Sequence, residues 1–271
     1  MKRIIKIIGY IAKKFIKLKL YFMAEFFLEL RILLLSKKKI KINFDGTDWI
    51  FKWDSTAAVS SHYLYDPKQN LENIDLFFFD YSPKKDDIIM NLGVENGSEI
   101  PFFCEKVGIN GKVYAVEADP NCCRRLLKLK NILKLDNLII IEKAIGSYEG
   151  EVYFSNDKNE STNKVLKENF QSSIKTQQTT LNNIFLKNSL KKINYVKSNI
   201  EGSEKSMLEN FRTDIYIVEN WCIGCHDFLG INNRTYDHVK SFLVKNKYVI
   251  KNYQPQDSRI WRNYYLYGKM I

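Results

Sequence analysis

No run of 18 uncharged apolar residues occurs in this 271-residue chain, because Glu25, Glu29 and Arg31 interrupt the best candidate. A bilayer-spanning helix is therefore not expected. Cysteine is sparse and odd in number (Cys104, Cys122, Cys123, Cys222, Cys225). No export signal is evident either, since lysines recur through Lys19 where a signal would run unbroken and apolar. Together these exclude a disulfide framework. They also argue against covalent haem at Cys222-Ile223-Gly224-Cys225-His226, because that C-x-x-C-H spacing is normally loaded outside the cytoplasm. No G-x-x-x-x-G-K-[ST] loop is present, which argues against a nucleoside triphosphate site. With three histidines and no clustered ligands, no metal site is assigned. What remains is an ordinary globular composition, 45% hydrophobic and 27% charged, which excludes global disorder.

The charge is unevenly placed. Residues 1–43 hold twelve Lys or Arg against Glu25 and Glu29, a net of +10, leaving +1 of the total +11 for the other 228 residues. A nucleic-acid enzyme would spread basic residues over its body, so nucleic acid is not the expected partner. At about 100° per residue, Ile4, Ile7, Ile8, Ile11, Phe15, Leu18 and Phe22 share one side of a helix and Lys2, Lys6, Lys13 and Lys17 the other. Residues 1–23 could thus lie on an anionic membrane, placing the chain in the cytoplasm at the inner membrane face. The competing reading is a helix packed on its own domain with solvated lysines.

Alternation around Asp45-Gly46 predicts a small β-hairpin over Ile40–Asp54, and a helix fits Leu71–Phe79 before Pro83. From Asp86 onward short apolar runs alternate with helical patterns. Strands are expected at 88–92, 112–116, 138–142, 152–155, 195–199 and 215–219, with helices at 99–107, 121–133 and 204–209. This implies an α/β sandwich with a mostly parallel sheet. Tyr248–Tyr253 and Trp261–Tyr267, around a Pro255 turn, would add an antiparallel hairpin, and polar residues 156–178 read as a long loop or lid. The expected organisation is an extension over 1–80 and one catalytic-type domain over 81–271.

The block with chemical content runs strand, Asn91-Leu92-Gly93-Val94-Glu95-Asn96-Gly97, helix, strand, Glu117-Ala118-Asp119-Pro120. A glycine turn feeding a helix lets backbone approach a ligand, and an acid ending the next strand can hold ribose hydroxyls. The turn lacks the third glycine of a dinucleotide cradle. Downstream stands Lys197-Ser198-Asn199-Ile200-Glu201-Gly202-Ser203-Glu204. With these motifs in order, the chain resembles the FkbM family of S-adenosylmethionine-dependent methyltransferases from about Asp86 to Glu219.

The resemblance implies a Rossmann-like three-layer fold with a seven-stranded sheet and a C-terminal antiparallel hairpin. It implies S-adenosyl-L-methionine as cofactor and O-methylation of a saccharide, glycolipid or other small-molecule hydroxyl. Carried over, Asn91, Gly93, Glu95, Gly97, Glu117, Ala118 and Ala144 would bind the cofactor, and Asn199, Glu201, Glu204 and Glu219 would stand at the reacting methyl. The family usually has Asp where Asn91 and Asn199 stand, so either Glu201, Glu219 or His226 takes the proton, or the protein binds without catalysing.

Overall fold

The lysine-rich segment folds as two helices, α1 (Lys2–Lys17) and α2 (Tyr21–Ser36), in a computed structural model describing residues 2–64, 73–154, 165–166, 173–230, 234–253 and 259–271. The single helix expected through Phe22 stops early because Lys19 turns left-handed (φ 57) and the Leu20 N–H donates back to the Phe15 carbonyl at 2.9 Å. Ala12 and Ala24 are both fully buried in the shared core, where small side chains let two helices close on each other. Of the predicted apolar stripe, Ile8 is buried while Ile4, Ile7, Leu18 and Phe22 stay exposed.

Strands β1 (Lys41–Phe44) and β2 (Trp49–Trp53) form the expected hairpin, with Gly46 at φ 95 in its turn. A third strand, β3 (Thr56–Ser60), pairs with β2 where no strand was predicted. Its short alternation of small residues carries little signal, and its strand character comes from Ala57 and Val59 packing on Leu129. Residues 73–77 are helical within the predicted 71–79 segment, of which 71 and 72 lie outside the described residues.

The free edge of β1 is closed by α2. Glu29 Oε1 accepts the Ile42 N–H at 2.8 Å and Glu25 Oε1 accepts the Phe44 N–H at 2.7 Å. These two carboxylates lie four residues apart on one helix face and so match alternate residues of a strand. The small sheet in turn docks on α4 (Pro120–Leu133) through Asp48, which is 1% exposed. Asp48 accepts from Arg124 Nη2 at 3.0 Å and from Lys128 Nζ at 2.7 Å. Burial alone would raise its carboxyl, but these donors hold it below the ordinary carboxylate value.

The main sheet has seven strands in the order β13-β14-β12-β11-β4-β5-β6. They are β4 (Ile88–Leu92), β5 (Lys112–Glu117), β6 (Leu138–Glu142), β11 (Lys192–Ser198), β12 (Ile217–Gly224), β13 (Tyr248–Asn252) and β14 (Tyr265–Met270). Only β14 runs against its neighbours. The helices α3 (Ile100–Val107), α4, α5 (Leu181–Lys187), α6 (Glu204–Leu208) and α7 (Tyr236–Lys245) cover the sheet. One core holds Phe103, Val107 and Leu126, and the other holds Phe185, Met207 and Leu243. The predicted α/β three-layer architecture is therefore present.

Three sequence expectations change. The 152–155 run is β8 (Gly150–Phe154) and belongs to a second sheet, ordered β7-β10-β8-β9, with β7 (Ala144–Ile145), β9 (Val165–Leu166) and β10 (Ile174–Thr179). The expected 156–178 loop therefore ends in strand β10, which pairs with β8 from Ile174 to Gln178. Of that stretch, residues 156–164 and 167–172 lie outside the described residues. Lastly, the 261–267 strand begins only at Tyr265. Residues Ile260–Tyr264 form a 3-10 turn, and ladder pairing with β12 starts at Tyr265 opposite Gly224. The Pro255 turn lies outside the described residues.

Candidate active site

The chain leaves β4 toward β5 on one side, and β11 lies on the other, so the sheet's switch point opens between Leu92 and Ser198. Ligands bind in the crevice beyond the carboxyl ends of strands at such a point. A cleft open to solvent lies there. Its lining includes Gly93, Glu95, Glu117, Ala118, Ala144, Asn199 and Glu201 from the sequence-derived set. Ile145 and Ser203, neighbours of the sequence-derived residues, also line it, as do Lys143 and Phe154, which the sequence does not place at the site.

Glu117 organises the corner. Its Oε2 accepts the Val94 N–H at 2.9 Å and the Glu95 N–H at 2.8 Å, and its Oε1 accepts the Asp119 N–H at 2.9 Å. Burial pushes this carboxyl up and the three N–H donors pull it back, leaving it above the ordinary value. A carboxylate has about four acceptor sites, so Oε1 keeps capacity for a ligand hydroxyl. Asp119 then caps α4 by accepting the Asn121 N–H at 2.8 Å.

Gly93 is required by strand approach. A Cβ there would lie 1.9 Å from the Asn199 carbonyl oxygen, and its φ is +71. Gly97 is not among the lining residues; a Cβ there would meet Leu126 Cδ2 at 2.3 Å, so its glycine lets α4 pack. Asn91 also stands behind the cleft wall, fully buried. Its Nδ2 donates to Glu99 Oε1 at 2.8 Å, and Lys197 Nζ donates to the same oxygen at 3.2 Å and to the Gly93 carbonyl at 3.0 Å. Lys197 is 2% exposed, which makes it a buried structural cation.

Asn199 does reach the cleft, and its Oδ1 accepts from the Tyr265 hydroxyl at 3.1 Å. Glu201 follows with a left-handed φ of 51. Behind it, His226 Nε2 lies 3.2 Å from Glu201 Oε1 and His226 Nδ1 lies 2.8 Å from Glu204 Oε1. Burial opposes charge on His226, but the two carboxylates outweigh it and raise the imidazole to about 10. His226 is therefore an imidazolium at neutral pH and cannot serve as the base considered from sequence.

Glu219 does not belong here. β12 spans Ile217–Gly224, not 215–219, so Glu219 sits near the strand's beginning, at the opposite rim of the sheet. It is bound to Lys192 Nζ at 2.6 Å and Asn194 Nδ2 at 2.8 Å. The residues that follow the strand's true end are Cys225 and His226. All five cysteines are free and buried, and among the described residues no group of His, Cys, Asp or Glu is arranged for a metal ion.

A central switch-point cleft, an acid ending β5 and a lone reversed strand β14 define the Rossmann-like methyltransferase class. The chain matches the family description "Methyltransferase FkbM domain" over residues 87–250, more than half its length, and it belongs to the FkbM methyltransferase family. Among solved structures it is similar to the FkbM methyltransferase of Methylobacillus flagellatus KT, with 14% identity and a TM-score of 0.50. That match covers 75% of this chain and spans 50% of that one. A match to Aeropyrum pernix fibrillarin bound to S-adenosyl-L-methionine has 10% identity and a TM-score of 0.46, covering 85% of this chain and 98% of that one. A SAM-dependent methyltransferase from Aquifex aeolicus gives 13% and 0.39, covering 76% and 97%. No curated protein matches.

The residues present fit S-adenosylmethionine, a cation with a ribose diol and an adenine ring. Glu95, Glu117 and Glu201 face Lys143 alone among the cleft's cations, and Ala118, Ala144, Ile145 and Phe154 supply apolar walls. Burial, with Glu99 and Glu117 nearby, pushes the Glu95 carboxyl up to about 7. A bound cation should expel that proton. Calorimetry at pH 7 in buffers of different ionisation enthalpy should then report release of about half a proton. Affinity should rise as pH climbs from 6 to 8, because the free protein loses the competing proton over that range. Buffer-independent heats with flat affinity would exclude Glu95 as the cation's partner.

Proposed function

We propose that the protein transfers the methyl group of S-adenosylmethionine to a hydroxyl of a saccharide or glycolipid-type acceptor. The observation that carries this reading is the switch-point cleft with Glu117 at one end and Glu201 at the other. The bound cofactor supplies a methyl group already activated for transfer. Glu117 presents an acceptor oxygen to the ribose, and Glu95 offers negative charge near the turn after β4. The apolar walls exclude water. Glu201 then accepts the hydroxyl proton, so the protein's own work is positioning and deprotonation. Asn199, whose Oδ1 accepts from the Tyr265 hydroxyl, carries no ionisable group and does not act as a base.

Titration with S-adenosylmethionine and S-adenosylhomocysteine, followed by radiolabelled methyl transfer to lipid-linked saccharide fractions, tests the reading. Binding with transfer lost in Glu201→Gln supports it. Binding without transfer to any hydroxyl acceptor favours the alternative, a non-catalytic member of the family.

We further propose that the α1–α2 hairpin rests on an anionic membrane surface. No helix among the described residues is long and apolar enough to cross a bilayer. Yet Ile4, Ile7, Tyr10, Leu18, Phe22 and Phe26 are all at least half exposed, interleaved with Lys6, Lys13, Lys14 and Lys17. Apolar side chains that dip below headgroups, with lysines level with phosphates, bind in this way. Each phenylalanine should contribute about 1.5–3 kcal/mol on burial. The Phe22→Ser/Phe26→Ser variant should therefore partition at least tenfold more weakly onto phosphatidylserine vesicles in sedimentation assays. Equal partitioning would exclude the hairpin as the contact.

A further inference from the structure

The cluster beyond the β12 terminus has a role that the cofactor cleft does not require. We propose that His226 is a positioning residue, a cation clamped between Glu201 and Glu204 that fixes the Glu201 carboxylate at the reacting end of the cleft. This rests on the reading of Glu201 as proton acceptor.

The geometry carries it. Glu201 belongs to the loop after β11, in a left-handed conformation that costs a non-glycine residue energy. Among the described residues, the ion pair of Glu201 is with His226 Nε2. The opposite nitrogen of the same ring faces Glu204, whose side chain has no exposure. Glu204 is only partly compensated otherwise. Its Oε1 takes long bonds of 3.4 Å from the Ile200 and Gly202 N–H groups, and its Oε2 is buried without a partner among the described residues. A fully buried carboxylate in that state demands a cation. The imidazole meets the demand through charge: its Nδ1 lies 2.8 Å from Glu204 Oε1 as an ion pair without an aligned hydrogen bond, and its opposite nitrogen lies 3.2 Å from Glu201 Oε1. Glu204 thus sets the charge of His226, and His226 sets the place of Glu201.

Other groups face the cluster as well. Asp227 and Cys225 flank His226 on its own segment, and Tyr265 and Glu95 reach Glu201 from β14 and from the turn after β4. Asp227 is spent on capping α7 through the Thr235 and Tyr236 N–H groups, both at 2.9 Å. Cys225 and Tyr265 are buried, and burial keeps both in their neutral forms. Lys143 is the other cation that faces Glu201, and it does so from the cleft lining, with no ion pair between the two among the described residues. Replacing His226 by a neutral side chain of similar reach should therefore leave Glu201 beside two acids without its ion-pair partner.

The test is a titration of the full-length protein by NMR, with nitrogen-labelled histidine. The chain has three histidines, His62, His226 and His238, so loss of one signal in His226→Gln assigns it. The assigned imidazole should remain protonated through pH 9, and deprotonation near 6.5 would overturn the proposal. In Glu201→Gln the His226 midpoint should fall by about one pH unit, a tenfold change. An unchanged midpoint in a folded variant would overturn it too. If Glu201→Gln does not fold, Glu204→Gln replaces it. There the His226 midpoint should drop by about one unit, and no drop rejects the clamp. These readouts need no acceptor. Failure to bind S-adenosylmethionine would count against the function and leave the titration legible.

Discussion

Glu117→Ala should abolish binding of S-adenosylmethionine and S-adenosylhomocysteine and also lower the stability of the fold by about 3–6 kcal/mol. The expectation follows from what its two oxygens hold. Three N–H groups, of Val94, Glu95 and Asp119, converge on that carboxylate, and two of these residues are almost fully buried. Each unsatisfied buried donor costs about 1–3 kcal/mol, and water entering the enlarged corner would recover part of the sum. The loop after β4 and the first turn of α4 would lose the acceptor that ties them together. Glu117→Gln separates the two effects. Its amide oxygen can still take the Val94 and Glu95 N–H groups, while its NH2 opposes the Asp119 N–H. Chemical denaturation should therefore show a smaller loss, with ligand affinity still severely reduced. Tight binding by Glu117→Ala, seen calorimetrically, would remove the residue from the cofactor site.

Asn91→Asp should destabilise the protein by about 3–5 kcal/mol near pH 8, although it brings the chain nearer to the usual family motif. Asn91 is fully buried and gives its NH2 to Glu99 at 2.8 Å. An aspartate there faces a carboxylate across a hydrogen-bond distance, with Lys197 able to neutralise one of the two. One member of the pair must take up a proton, so its folded-state pKa lies above its unfolded value. The sign follows directly. The penalty is absent below the unfolded carboxylate pKa and grows as pH rises toward the folded one, so the variant should recover stability on acidification toward pH 4. Urea unfolding at pH 5 and pH 8 measures this, and equal deficits at both pH values would contradict the pairing. Restoring both aspartates at once is accordingly a poor probe of a degenerate site. Asn199→Asp alone is better, since its oxygen already accepts from the Tyr265 hydroxyl and a carboxylate keeps that bond.

What could be read from sequence was what is local. The strand, glycine turn, helix and acid of residues 88–117 lie within thirty consecutive residues, and each signal constrains the next. The structure places Gly93, Glu95 and Glu117 together accordingly. The Asn91, Glu99 and Lys197 network was not legible, because it joins positions about a hundred residues apart and depends on the side chains sharing one buried oxygen. His226 was visible in a cysteine motif and as one candidate base, but its pairing with Glu201 and Glu204 depends on where β12 stops. Starting that strand two residues early also put Glu219 at the wrong rim. The small sheet of β7 to β10 escaped notice for a related reason. Two of its strands have two residues each, too short to show alternation, and they are strands through pairing alone.

The carboxylates of Glu25 and Glu29 have a mechanical consequence. They rivet α2 to β1, and Asp48 bolts the same small sheet to Arg124 and Lys128 on α4. A pull applied to the helical hairpin thus has no slack joint to dissipate in before it reaches α4. The first turn of α4 is anchored by Asp119, whose N–H ends on Glu117. A surface that held the hairpin, as proposed above, would therefore also set the orientation of the cleft, as a handle sets the orientation of a blade.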